Sequence, residues 1–154
     1  MKSFTDTIQI DASAHDVYAT LRAVDAYPAW LGHSLVYRGT RVPTAAAAVP
    51  APGSATYVDS TMVGRMRGEL IDDIPDHELR FHQAKPSGRV DALIVYGVED
   101  RGGVTRVTRI GQLTTHGVYR AVEPMFVMMA ARESRRTMRA LKAHIEAAPV
   151  EHGA

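Results

Sequence analysis

The sequence predicts an α+β fold in which a curved antiparallel sheet wraps one long C-terminal helix. Three observations predict it: seven segments alternate apolar and polar residues, short links join most of them, and the last stretch has apolar residues at helical spacing. The chain has 154 residues, which is the usual size of one domain. We therefore expect a single domain over residues 1–148 and a short tail over 149–154.

The first third of the chain predicts a strand followed by two short helices. Alternating residues predict the strand over 3–11. Ser13 stands where a helix N-cap belongs, with Asp16 three residues later, and a helix is expected over 14–23. A second short helical segment is expected over 25–31.

Six further strands are predicted, with one proline-rich interruption. They are expected over 33–40, 54–63, 65–73, 78–84, 90–99 and 103–115. Because short Pro-, Gly- or Asp-containing links separate the last five, neighbouring strands should pair as an antiparallel meander. The segment 41–53 holds three prolines and a run of alanines, and it predicts a long loop.

The final helix carries one apolar line and one basic sector. No Pro or Gly occurs between Pro124 and Pro149, and six residues fall near one line at about 100° per residue. This expected buried face consists of Val127, Ala131, Ser134, Met138, Leu141 and Ile145. The adjoining sector consists of Arg132, Arg135, Arg136, Arg139 and Lys142. We expect this basic sector to be a solvated face, with an anionic lipid surface or a protein partner as alternatives.

Composition excludes several classes of function. The absence of cysteine rules out disulfides, a thiolate nucleophile, iron–sulfur clusters and the usual structural zinc sites. The net charge of +1 argues against binding nucleic acid through bulk electrostatics. The chain has no predicted signal peptide and no apolar run near the ~20 residues of a membrane-spanning helix. We expect a cytoplasmic protein without an integral membrane segment.

Five local sequences, in this order along the chain, resemble the START-like superfamily, also called SRPBCC or the polyketide cyclase/dehydrase and lipid-transport group. They are Ile8-x-Ile10-x-Ala12 with Val17-Tyr18, Asp25-x-Tyr27-Pro28-x-Trp30, Pro75 with Leu79-x-Phe81, Gly103-x-Thr105-Arg106-Val107-Thr108 and Leu141-Lys142-x-x-x-Glu146. Together they cover nearly the whole chain. The fourth departs from the family pattern by the insertion of Val104.

The resemblance implies a helix-grip fold, in which a seven-stranded antiparallel sheet curls around the C-terminal helix and two short helices follow the first strand. It also implies a deep apolar cavity between sheet and helix for a lipid, a quinone or an aromatic polyketide. A void there is physically reasonable, because a strongly bent sheet cannot contact a straight helix along its whole length. The segment 41–53 is longer than the family pattern, which leaves the shape of the cavity mouth open.

Strand alternation predicts which side chains face this cavity. The predicted ligand-binding residues are Met66, Leu70, Phe81, Ile94, Tyr96, Val107 and Arg109 from strands and Val127 and Ala131 from the helix. If Val107 points inward, Arg109 does too, because they share a strand face. A buried arginine must be paired or must serve a ligand's oxygens. The opposite register would place Arg106 inside and Arg109 in solvent.

Two aromatic residues and three methionines have alternative interpretations. Tyr96 is either a ligand contact through its hydroxyl or a packing residue, whereas Trp30 is expected to pack in the core. Met125 and Met129 project onto the arginine side of the helix. With Met128 they are candidates for the cavity entrance or for a dimer contact.

Motifs for several other chemistries are missing. The seven histidines have no metal-ligand spacing, and adjacent Asp72 and Asp73 point to opposite faces of a strand. The sequence contains no nucleophile elbow, phosphate loop or dinucleotide fingerprint. We therefore expect neither a metal nor a cofactor.

The function expected first is binding of a small hydrophobic ligand, such as a lipid, quinone or aromatic polyketide, in the internal cavity. The alternative is an aromatase/cyclase-like enzyme acting on a polyketide, in which Arg109 would polarise a carbonyl and Tyr96 would move a proton. A third hypothesis is a protein-interaction module that uses the methionine and arginine face, with a homodimer as one form.

Overall fold

The computed structural model describes residues 2–34, 36–41 and 56–147. Its strands are β1 (Lys2–Ile10), β2 (Tyr37–Arg41), β3 (Thr56–Thr61), β4 (Gly64–Ile74), β5 (Glu78–Ala84), β6 (Val90–Asp100) and β7 (Thr105–Thr115). Its α-helices are α1 (Ala14–Arg22) and α2 (Glu123–Ala147), and 3₁₀ helices span Val24–Ala29 and Gly117–Val122. The predicted loop beyond Arg41 and the predicted tail over 149–154 lie outside the described residues.

All seven strands form one antiparallel sheet in the order β1-β7-β6-β5-β4-β3-β2. The strands from β2 to β7 follow one another as the predicted meander, and β1 pairs with β7. α1 and the first 3₁₀ helix connect β1 at one edge of the sheet to β2 at the other. The predicted α+β, helix-grip fold is confirmed.

α1 begins and docks through identifiable polar contacts. The Ser13 hydroxyl accepts a hydrogen bond from the backbone N–H of Asp16 at 3.1 Å, which is the predicted N-cap. At the other end, Arg22 Nε donates to the Asp73 carboxylate at 2.9 Å, and the Tyr18 hydroxyl donates to the same carboxylate. Burial, together with Asp73, raises the pKa of Tyr18 to about 12. These bonds tie α1 to β4.

The main core lies between the sheet, α1 and the C-terminal half of α2. Its fully buried aliphatic residues include Ile10, Leu21, Leu79 and Val107, together with Leu141 of α2. A smaller cluster centres on buried Met66, Val90 and Leu113 and includes residues from the first turn of α2. None of the helices in the described ranges is both long enough and apolar enough to span a membrane.

Candidate functional site

A cavity of about 190 Å³ lies between the sheet and α2, where the two clusters meet. One enclosed water needs only about 10–15 Å³, so the cavity has room for a small organic molecule. Its walls are mostly apolar, with aromatic rings from Phe4, Tyr57, Phe81 and Phe126. Polar groups enter from β3, β5 and β7 and from α2.

Two glycines shape the floor of this cavity. A Cβ atom on Gly111 would lie 2.3 Å from the ring of Phe4, and one on Gly68 would lie 2.2 Å from the ring of Tyr57. Each glycine is the direct cross-strand neighbour of the aromatic residue above it. The missing side chains therefore let both rings lie close to the sheet and face the cavity.

The cavity brings together five of the nine residues predicted to bind ligand. These are Met66, Phe81, Ile94, Tyr96 and Arg109. Leu70 and Val107 do not line it, because both are completely buried in the main core. Alternation identified their inward face, but the core and the cavity share that face of the sheet.

The two helical predictions, Val127 and Ala131, also do not line the cavity. Val127 packs into the smaller cluster, and Ala131 is half-buried. The lining face of α2 consists of Phe126, Met129, Ala130, Glu133 and Thr137. It lies roughly a quarter turn from the apolar line of the sequence projection. The buried sector of α2 is wide because one side of the helix packs against β1 and the adjacent side borders the cavity.

The methionines at the start of α2 divide between cavity and surface. Met129 lines the cavity, in contrast to its projected place on the arginine side. Met125 and Met128 are 44% and 55% exposed. Trp30 packs against the main core, as predicted; its ring contacts that of Tyr27 at a tilted angle and stacks with that of His144.

Arg109 and Tyr96 form the polar pair that strand register places in the cavity. They lie directly opposite each other on β7 and β6. Arg109 Nε donates to the Tyr96 hydroxyl at 3.0 Å, and its guanidinium carbon lies 5.5 Å from the centre of the same ring. Among the described residues, the terminal guanidinium nitrogens have no hydrogen-bond partner. Arg106 is exposed on the opposite face of β7.

A second polar group, centred on Asp59 of β3, was not predicted from the sequence. One carboxylate oxygen accepts from the Thr40 hydroxyl at 2.6 Å, and the other accepts from the Gln83 amide at 2.9 Å. Gln83 also donates to the Tyr57 hydroxyl at 2.7 Å. Tyr57 and Gln83 are both cross-strand neighbours of Gly68, so they can meet above a residue that has no side chain.

The same alternation argument that brought Arg109 inside could have found Asp59. Tyr57 and Asp59 are two residues apart on one strand, so an inward tyrosine also brings the carboxylate inside. Gln83 follows Phe81 by the same step on β5. The available signal was therefore a polar residue two positions from an inward aromatic one.

Burial changes the acid–base properties of this wall. Loss of hydration raises the pKa of Asp59 to about 6, and the hydrogen bonds from Thr40 and Gln83 and the charge of Arg109 only partly oppose it. Burial also raises the pKa of Tyr57 and of Tyr27 well above the usual value, so both stay neutral. Asp59 is therefore the wall carboxylate that can change its charge near neutral pH.

On the helix side, Glu133 is already paired. Its carboxylate accepts from Arg136 Nε at 2.9 Å and from the Ser34 hydroxyl at 3.0 Å. Across the part of the chain that the structure describes, no three histidine, aspartate or glutamate side chains are placed to hold a metal ion. The arrangement offers an apolar chamber with a cation on one wall and a titratable carboxylate on another.

Solved structures share this fold at low sequence identity. A START superfamily protein from Mycobacterium smegmatis has a TM-score of 0.70 at 11% identity, covering 94% of this chain and 97% of that one. The Aha1 dimer from Colwellia psychrerythraea has a TM-score of 0.68 at 18% identity, covering 97% and 99%. The di-domain ARO/CYC protein StfQ, from the steffimycin biosynthetic pathway, has a TM-score of 0.67 at 14% identity, and the match covers 92% of this chain and 50% of StfQ.

The family assignment comes from the sequence match. No curated protein matches the chain at a significant level. The model of one family, polyketide cyclase/dehydrase and lipid transport, matches residues 1–146. This match covers all the local sequences that carried the resemblance, and the sheet and helix have the arrangement which that resemblance implied. The chain therefore belongs to the polyketide cyclase/dehydrase and lipid transport family of START-like proteins.

Proposed function

We propose that this protein binds a small, largely apolar molecule in the cavity and holds the molecule's oxygen atoms with Arg109. The observation that carries the proposal is the state of the guanidinium group. Arg109 lines the cavity, its Nε is fixed by Tyr96, and its terminal nitrogens have no hydrogen-bond partner among the described residues. A partly buried guanidinium with free donors is stabilised by an acceptor, and a ligand oxygen can supply one.

The apolar walls supply most of the expected affinity. Burial of about 200 Å² of apolar ligand surface contributes roughly 5 kcal/mol before the entropic cost of association. The few polar groups then set the orientation of the ligand. A lipid with a carbonyl group, a quinone or an aromatic polyketide has this combination of surface and oxygen atoms.

The test compares two arginines on the same strand. Quinones, lipids and aromatic polyketides are screened for the rise in Tm that they produce. Arg109→Ala should lose most of the rise for oxygen-bearing ligands, whereas Arg106→Ala, on the outer face of β7, should keep it. No rise in Tm with any ligand, or an equal rise in both variants, would contradict the proposal.

Catalysis on a polyketide is the second candidate, and the Arg109–Tyr96 pair favours it. The Arg109 cation can polarise a carbonyl group, and the neighbouring Tyr96 phenol can transfer a proton to it. StfQ, which shares the fold, is named as an ARO/CYC protein. A poly-β-ketone substrate should be converted by the wild type and far more slowly by Tyr96→Phe, which keeps the ring and removes the proton. Equal turnover by both proteins would exclude this role.

The proposal includes a cytoplasmic location and a homodimer. Val118, Val122, Met125 and Met128 are the exposed large apolar residues of the second 3₁₀ helix and the start of α2. On α2, Met125 and Met128 directly precede the lining residues Phe126 and Met129. Exposed apolar side chains grouped in this way favour association with a second copy.

A further inference from the structure

When Asp59 is ionised, the hydrogen bonds around it have one consistent direction. Thr40 has one hydroxyl hydrogen and uses it to reach Asp59, so the Tyr37 hydroxyl, 2.5 Å from Thr40, must donate to Thr40. Gln83 uses both amide hydrogens, one on Asp59 and one on Tyr57. Every neighbour thus points a hydrogen at the carboxylate, which is the arrangement that an ionised Asp59 requires.

Among the described residues that line the cavity, only two charged side chains lack a partner within ion-pair distance. Asp59 and Arg109 are these two, and they make no ion pair with each other in the described ranges. Glu133 is paired with Arg136 on α2. The other titratable groups around Asp59 are tyrosines: Tyr27, Tyr37, Tyr57 and Tyr96. Within the described lining, one positive and one negative charge are thus left unpaired, and their sum is zero; the Asp6 carboxylate, opposite Arg109 on β1, is not part of the lining.

The charge of the ligand determines whether the net charge in the cavity remains zero. A neutral ketone, quinone or ester places an acceptor on Arg109 and leaves the sum at zero. A carboxylate ligand neutralises Arg109 and leaves a net negative charge in an apolar chamber, which is strongly unfavourable. The balance returns if Asp59 takes up one proton.

We infer, on the basis of the proposed function, that Asp59 determines the charge of the ligand: the cavity binds a neutral oxygen-bearing molecule directly and a carboxylate only together with one proton. The protonated carboxyl group donates to the Thr40 oxygen, and the hydroxyl hydrogens of Thr40 and Tyr37 turn away from it. Only hydroxyl rotations are needed, and no charge is left unpaired. The raised pKa of Asp59, about 6, makes this protonation easy near neutral pH.

The experiment uses two probes of the same shape and opposite charge state. 2-Naphthoate has an ionised carboxylate across about pH 5.5–8, and 2-acetylnaphthalene is a neutral ketone. Calorimetric titration of the wild type should show naphthoate affinity falling by up to about tenfold per pH unit above pH 6, because one proton is bound with the ligand. The affinity for the ketone should be constant over the same range.

Variants assign the proton to Asp59. Asp59→Asn should bind naphthoate without pH dependence and more tightly than the wild type does at pH 8. Asp72→Asn, an exposed carboxylate on the outer face of β4, should behave as the wild type. Titration of the wild type in two buffers of different ionisation enthalpy counts the protons directly and needs no variant. At pH 8, where free Asp59 is ionised, we expect uptake of close to one proton per naphthoate and none per ketone.

The outcomes separate this inference from the function on which it rests. Naphthoate binding that is independent of pH and releases or takes up no proton would overturn the inference and leave the proposed function standing. A pH dependence that persists in Asp59→Asn would also overturn it. If neither probe binds at any pH, the proposed function fails, and the inference fails with it.

Discussion

Gly68 of β4 lies beneath the ring of Tyr57, between β3, which carries Tyr57 and Asp59, and β5, which carries Gln83. A Cβ atom at this position would lie 2.2 Å from Cζ, 2.5 Å from Cε2 and 2.6 Å from the hydroxyl oxygen of Tyr57. No side-chain carbon can occupy that space. Gly68→Ala must therefore lift the ring away from β4 and pull its hydroxyl away from Gln83.

The magnitude follows from these two effects. Forcing an extra methyl group into a packed site costs about 1–3 kcal/mol. Loss of the hydrogen bond from Gln83 adds about 1 kcal/mol. We expect the free energy of unfolding to fall by roughly 2–4 kcal/mol, and Tm to fall by roughly 4–16 °C for a chain of this size.

The assay is thermal and urea unfolding of matched alanine variants. Gly97→Ala is the control, because a Cβ atom on Gly97 of β6 would have no neighbour nearer than 3.9 Å. Its stability should change by less than about 1 kcal/mol. In a Tyr57→Leu background the effect of Gly68→Ala should shrink to a similar value, since leucine ends short of the crowded atoms. Equal stability of Gly68→Ala and Gly97→Ala would refute the reasoning.

Three other predictions concern charge and exposure. Because the pKa of Asp59 is higher in the folded protein (about 6) than in the unfolded chain (about 3.8), its contribution to stability is fully present below about pH 4 and is lost as the pH rises through 6. Relative to Asp59→Asn, the wild type should therefore lose about 2 kcal/mol between pH 4 and pH 7 in urea titrations, and a flat difference would contradict this. Asp73→Asn weakens the buried contact with Arg22 and should cost about 2–4 kcal/mol in the same assay, whereas a loss below about 0.5 kcal/mol would show that the pair is unimportant. Met128→Glu should shift a homodimer to the monomer in gel filtration, and an unchanged elution volume would remove this residue from the interface.

Most of the fold could be predicted because its signals are local. The period-two strands, the Ser13 cap and the uninterrupted run after Pro124 each depend on neighbouring residues. The second 3₁₀ helix, Gly117–Val122, was missed, because six residues are too few for a helical period to be recognised. The end of β7 and the start of α2 were placed correctly around it.

Sequence reasoning predicted part of the cavity lining, because alternation shows which face of the sheet a residue occupies but not where along that face the cavity lies. Tyr96 and Arg109 were identified by alternation on single strands. Leu70 and Val107 satisfied the same criterion and are instead in the core, since alternation identifies a face of the sheet and not the position along it. The lining face of α2 was missed because a projection of one helix does not show which side borders empty space.

By itself the sequence determined the α+β class, the number of strands, their antiparallel order and the family, because hydrophobic period, caps, turns and short local motifs are properties of consecutive residues. Only the tertiary structure decided that Asp59 shares the cavity with Arg109. That neighbourhood depends on the register of β2, β3, β4 and β5, on the missing side chain of Gly68 and on the curvature of the sheet. These are relations between distant segments, and the charge balance of the cavity arises from them.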